Sequence, residues 1–210
     1  MKVLVELKNI WQPKLLNKNF RIRFFLSLLF LAIILLILAK FLAYNETRSG
    51  FSFDDPLLMM FRPIDVTWLT FGLIYAALIT ALISLSFHPE NLLIAIQAYS
   101  LIVLFRLFTI FFLPLNAPAT TIALTDPFVE FFGNGHTLFR DLFFSGHTST
   151  MFLFFLTAKN GKLKTVFFSC TILVGACVLA QHVHYTIDVI AAPFFAYTAY
   201  RISVLFQPNK

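Results

Sequence analysis

Long apolar runs alternate with short polar gaps along the chain. A helix that crosses the hydrocarbon needs about 20 apolar residues. Six stretches approach that requirement: 24–44, 66–87, 91–115, 143–158, 163–181 and 185–206. The fourth is short. The third contains Arg106 and ends near Pro114, and the sixth is interrupted by Asp188 and Pro193. The gap 45–65 holds Pro56, Pro63 and a short apolar run, 57–61, which predicts a turn of interfacial helix. The gap 116–140 is the longest and carries Pro118, Pro127, Gly133 and Gly135. Long ordered loops are often functional.

The pattern predicts an all-α, polytopic membrane protein with six transmembrane helices. A basic N-terminal segment, 1–23, precedes one membrane domain, 24–206, and a tail, 207–210, follows. Composition agrees. Of 210 residues, 59% are hydrophobic and 12% charged, and 28 are Phe. So little charge excludes an ordinary soluble domain. A charged stretch precedes the first run and no small-residue cleavage site follows it, so it reads as a retained anchor rather than a signal peptide. Cys170 and Cys177 lie in one apolar stretch. On a helix they would stand roughly 10 Å apart along the axis, too far to bridge.

Charge sets the orientation. Lys2, Lys8, Lys14, Lys18, Arg21 and Arg23 precede the first run. Lys159, Lys162 and Lys164 separate the fourth and fifth, and Arg201 and Lys210 close the chain. With six spans these places share one side, which should be the cytoplasm, with both termini there. Glu46, Asp54, Asp55, Asp65, Asp126, Glu130 and Asp141 fall on the other. The net charge of +6 therefore reflects membrane topology, and no basic patch interleaved with aromatics suggests nucleic acid.

Candidate chemistry lies on the acidic side. The stretch 131–150, FFGNGHTLFRDLFFSGHTST, carries Gly-His-Thr twice. Ser145 suits an N-cap, and the free N–H groups of a helix start can hold an anion such as phosphate. His147 stands one turn in. The alternative is a polar cap without ligand. In AQHVHYTIDVI, 180–190, His184 and Asp188 are four apart and would share a helix face. A carboxylate beside an imidazole fixes its tautomer and frees the far nitrogen to attack or take a proton. The alternative is a structural hydrogen bond. His136 lies in a Gly-Asn-Gly loop and reads as a loop residue or a substrate contact. His182 reads as an interfacial cap, and His88 lies on the other side. Arg106, inside its run, needs a partner: a phosphate or a loop acid. Asp141 can cap the fourth helix or offset its dipole. Asp126 and Glu130 read as solvated loop acids.

Taken together, these residues resemble the second and third motifs of the type 2 phosphatidic acid phosphatase superfamily. Ser145-Gly146-His147-Thr148 and His184-Tyr185-Thr186-Ile187-Asp188 are most similar to its sphingolipid synthase branch. Asp141, His136, Arg106 and Leu113-Pro114 extend the likeness, which runs from about residue 100 to 200. It implies a six-span helical bundle with an outward-facing site. It implies His184 as nucleophile, Asp188 as its activator and His147 as acid and then base. It places Ser145, Gly146, Arg106, Asp141, His136 and Tyr185 around the substrate. No metal or cofactor is needed, because imidazolium and a helix N-terminus can stabilise phosphate charge.

The chain departs from the wider superfamily. Asp55 stands where a Lys would precede Arg62-Pro63, and Val178 stands where an Arg would precede the second histidine. A doubly charged phosphate monoester wants those cations, so a phosphodiester donor is favoured.

The expected activity is transfer of a phospho-headgroup from a glycerophospholipid to ceramide or a diacylglycerol-type alcohol. A lipid phosphatase or phospholipase C-like hydrolase could use the same residues. A transporter or scaffold is the third reading, and the chain lacks symmetric, broken half-helices. The expected partners are lipid substrates and the membrane, with homo-oligomerisation open. The short chain without a cytoplasmic domain points to a bacterial inner-membrane protein with a periplasmic site.

Overall fold

The computed structural model describes residues 2–126 and 138–207. Among them are seven α-helices: α1 (Lys2–Leu16), α2 (Lys18–Asn45), α3 (Thr67–Ser86), α4 (Pro89–Phe112), α5 (Gly146–Thr157), α6 (Gly161–Ala180) and α7 (Thr186–Leu205). Helices α2 to α7 occupy the six apolar stretches with ends shifted by a few residues. Helix α2 is the exception, beginning six residues earlier than its apolar run. Helices α2, α3, α4 and α6 are each long and apolar enough to cross a membrane. Their outer faces carry exposed Leu29, Leu36, Leu82, Phe108 and Ile172. A surface this apolar would aggregate in water and is solvated by lipid tails, so the chain is an integral membrane protein.

Helix α1 was not foreseen in 1–23, where the basic residues conceal its pattern. Asn17 ends it and caps α2, its side chain accepting from the Phe20 N–H at 3.1 Å. Trp11 fixes it against the bundle, donating from Nε1 to the Ser86 carbonyl at 2.8 Å. The expected helical turn in 57–61 is a 3₁₀ turn, Leu58–Met60.

Helix α5 has 12 residues, about 18 Å at the α-helical rise. It cannot span alone, and none of its residues is exposed, because it touches α3, α4, α6 and α7. One core cluster joins Ala77, Ala81, Met151, Phe154, Phe167 and Val174 between α3, α5 and α6. A second joins Ala98, Ile102, Phe144 and Leu153 to Ala192, Ala196 and Ala199 of α7. The alanine row lets α7 approach closely, as small residues do between membrane helices.

Helix ends sort into two groups. At one, Arg23 of α2 donates to Gln207 beyond α7, and Asn91 of α4 donates to the carbonyl of Thr157 at the end of α5. The lysine loop between α5 and α6, with Lys159 and then Lys162 and Lys164 in the first turn of α6, lies at this end. At the other, Asn45 donates to the Arg140 carbonyl, and Glu46 accepts from the N–H groups of Phe139 and Arg140. Gln181 ties this end together through Val66 N–H, Thr67 Oγ1 and the Ala123 carbonyl. Both histidine motifs lie here, opposite the lysine loop.

Asp55 is the strongest tie. Its carboxylate accepts from Thr186 N–H at 2.6 Å, Thr186 Oγ1 at 2.9 Å, Leu57 N–H at 3.0 Å and Leu58 N–H at 3.4 Å. It thereby caps α7 from a loop 131 residues away in sequence. Burial pushes its pKa up, but the bonds from Thr186, Leu58 and Leu57 outweigh burial and hold it below the ordinary 3.8. A carboxyl whose folded pKa is lowered stabilises the fold above its ordinary pKa, and loses that contribution as pH falls through the folded value. Asp55→Asn should therefore cost about 2 kcal/mol at neutral pH, the order for charged hydrogen bonds. The gap from wild type in thermal unfolding should shrink below about pH 4.

Candidate active site

The short helix α5 positions the first motif. Ser145 is its N-cap: Oγ accepts from the Thr148 N–H at 3.4 Å and contacts Thr148 Oγ1 at 3.0 Å. The expected cap is present, and the serine is fully buried with its hydroxyl committed. His147 follows in the first turn. Its ring meets Phe71 edge-on at 6.0 Å, and its Nδ1 is buried without a partner.

The second motif forms at the start of α7. His184 lies before the helix, whose N-cap is Tyr185, so a shared helical face does not bring His184 and Asp188 together. They meet through capping. Asp188 Oδ2 accepts from the Tyr185 N–H at 3.1 Å and lies 3.3 Å from His184 Nδ1. Asp188 is wholly buried, His184 is 2% exposed, and Asp188 Oδ1 has no partner. A buried carboxylate without a full set of donors favours a proton on the imidazole nitrogen facing it. The other nitrogen, Nε2, is then left to act as a base or nucleophile.

A backbone bond joins the motifs: the Ser145 N–H donates to the Asp188 carbonyl at 3.1 Å. The two imidazoles lie within electrostatic range of each other.

Arg106 supplies positive charge. Its guanidinium pairs with Asp141, the loop-acid partner that the sequence offered as the alternative to a phosphate, and Ser145 rather than Asp141 caps the helix. Arg106 Nε stays buried and unpartnered. Gly146 makes room for it: a Cβ there would stand 2.7 Å from Arg106 Cζ and nearer still to Nη1. The glycine thus lets a guanidinium lie across the start of α5, where helix N–H groups already favour negative charge.

Arg106, Asp141, Gly146, His147 and Thr150 form the polar end of a cavity of about 430 Å³. The rest is apolar, lined by α2, α3, α4 and α5 as far as Leu85 and Leu92. From Leu92 to Arg106 is about 21 Å along α4. A slot that is apolar along its length, with a guanidinium–carboxylate pair and a helix N-terminus at one end, suits a lipid with a polar, phosphate-bearing end.

Tyr185 faces elsewhere. Its ring stacks on Phe53 at 4.0 Å, its hydroxyl donates to the Asn116 carbonyl, and it lines a separate outer cavity. His136 lies outside the described residues, as does Glu130. Asp126 accepts a hydrogen bond from the Tyr75 hydroxyl at 2.7 Å and is not merely solvated. Sequence reasoning missed Asp55, whose link to Thr186 no spacing rule reveals, and did not foresee the burial of His182. His182 is 1% exposed and has φ 55°, the left-handed region.

Residues 140–204 match the model of the PAP2 superfamily C-terminal domain. The match covers under a third of the chain but includes Asp141 and both histidine motifs. It supports membership of the PAP2 superfamily and a function of the lipid phosphatase or phosphotransferase type. No curated protein and no solved structure matches the chain.

Proposed function

We propose that the protein is a lipid phosphotransferase that moves a phospho-headgroup from a glycerophospholipid to ceramide or a similar lipid alcohol. One observation carries this: the Ser145–Asp188 backbone bond holds a His–Asp pair beside a second histidine, with a buried unpartnered Nδ1, at the polar end of an apolar cavity.

In the first half-reaction His184 Nε2 attacks phosphorus. A P–N bond forms, the P–O bond to the donor lipid breaks, and His147 gives a proton to the departing alkoxide. Asp188 holds the His184 Nδ1 proton and stabilises the positive ring. Arg106 and the start of α5 stabilise the negative phosphoryl oxygens. In the second half-reaction His147 takes the proton of the acceptor hydroxyl. The new alkoxide attacks phosphorus, the P–N bond breaks and His184 is restored. The absence of the wider superfamily's Lys and Arg beside the site, at Asp55 and Val178, favours a singly charged phosphodiester donor. The basic termini and lysine loop, at the end opposite the site, favour catalysis on the non-cytoplasmic face of a six-span protein.

Purified protein given phospholipid with ceramide or diacylglycerol should form a new phospholipid carrying the donor's headgroup. If only free phospho-headgroup forms whatever alcohol is supplied, the protein is a hydrolase using the same residues.

A further inference from the structure

The apolar cavity beside the two motifs holds one polar group that the proposed reaction does not use. Beyond the polar end formed by Arg106, Asp141, Gly146, His147 and Thr150, its described wall is apolar except at Tyr99 of α4. Tyr99 and Arg106 stand seven residues apart on one face of α4, two turns or about 10 Å along the axis. The Tyr99 ring packs against the core cluster that contains Ala98, Ile102 and Leu153, which holds it in the wall. Its hydroxyl lies within electrostatic range of Arg106 and Asp141.

The state of that hydroxyl sets it apart. Thr150, the other hydroxyl in the wall, donates to the Gly146 carbonyl at 2.7 Å. Tyr99 makes no hydrogen bond to any described residue. Unlike Arg106 Nε and His147 Nδ1, its oxygen is not sealed off by protein. It opens on the cavity that the residue lines. A hydroxyl left unpaired in apolar surroundings is destabilising, and phenylalanine would pack as well without that cost. The group that completes it comes from the ligand.

The chemistry of a phospholipid says which group that is. With its phosphate at Arg106 and the start of α5, its tails run toward Leu85 and Leu92. Hydrocarbon offers a hydroxyl nothing. The acyl ester carbonyls accept hydrogen bonds, and they lie a few bonds below phosphorus, between the phosphate and the tails. The reach of the tyrosine side chain covers the rest of the two turns. An ether-linked lipid has the same shape but lacks the projecting carbonyl oxygen.

We infer that Tyr99 is a specificity-determining residue: its hydroxyl donates to an acyl ester carbonyl of the donor glycerophospholipid, so that the protein selects ester-linked over ether-linked lipids. The inference rests on the lipid reading of this cavity given above and adds the linkage that it recognises.

The test is equilibrium binding to the full-length protein in detergent. The probes are a short-chain diacyl phospholipid with a methyl group for its headgroup and the dialkyl ether counterpart. In each the scissile oxygen is replaced by carbon, so that neither is consumed. Wild type should bind the ester about fivefold to tenfold tighter, the worth of one net hydrogen bond. Tyr99→Phe should bind the two alike, with the loss falling on the ester alone. Without lipid the variant should unfold at or above the wild-type temperature, because no hydrogen bond within the protein is lost. Equal binding of the two probes by wild type, as when water completes the hydroxyl, would overturn the inference. So would an ester preference that survives in Tyr99→Phe, or failure of that variant to fold, which would mean that the hydroxyl serves the protein itself. Turnover of ordinary lipids is scored separately. An ester preference that depends on Tyr99 without turnover upholds this contact and removes the phosphotransferase reading; turnover without the preference does the reverse.

Discussion

Replacing His184 with Ala or Gln should lower kcat/KM by about 10⁴-fold or more, the scale on which enzymes lose a covalent nucleophile. The side chain is 2% exposed, and its Nδ1 contacts only Asp188 among the described residues. It holds no helix cap, so Gln should preserve the fold. Asp188 is a poorer probe, because Oδ2 also accepts the Tyr185 N–H. Asp188→Asn would disturb both the pair and the start of α7, and its loss of activity would mix two causes. Thermal unfolding of His184→Gln within a few degrees of wild type, with activity gone, assigns the loss to chemistry. Activity within tenfold of wild type would exclude His184 as nucleophile.

Gly146→Ala is expected to cost less than that, but far more than one methyl group usually does. The added Cβ would occupy the place of the Arg106 guanidinium. Arg106 would then leave the start of α5 and its pairing with Asp141. Loss of one preorganised charge at a reacting phosphate costs about 10²–10³-fold in rate. Arg106→Ala should cost a similar factor, and the double variant little more than either single one, because both remove the same guanidinium. Independent, multiplying losses would mean that Gly146 acts through something other than Arg106. A fully active Gly146→Ala would mean that the guanidinium does not lie there during turnover.

These residues also mark how far the sequence could be read. Apolar run length located α2 to α7, because solvation by lipid tails imposes that length. Helix α1 was hidden: its lysines and Pro13 break the apolar pattern, and contacts of Trp11 with the α3–α4 turn anchor it. The spacing of His184 and Asp188 revealed their pairing, though not its cause, since a capping carboxylate at the third helical position reaches back over the N-cap. Ser145 was legible as a cap because capping is local. The partner of Arg106 was not, because Asp141 is 35 residues away and only folding selects it among the acids on that side. Asp55 was invisible for the same reason. The buried placement of His182 depends on a left-handed backbone, which non-glycine residues adopt rarely and which no side-chain pattern signals.

The phosphohistidine intermediate is the claim on which the rest depends. The most direct test mixes the protein briefly with its phospholipid donor, omits the lipid alcohol, quenches at alkaline pH and maps adducts by mass spectrometry. The account predicts an acid-labile phospho-headgroup on His184, lost when lipid alcohol is added. Product formation with no adduct, or with the adduct on His147, would contradict it.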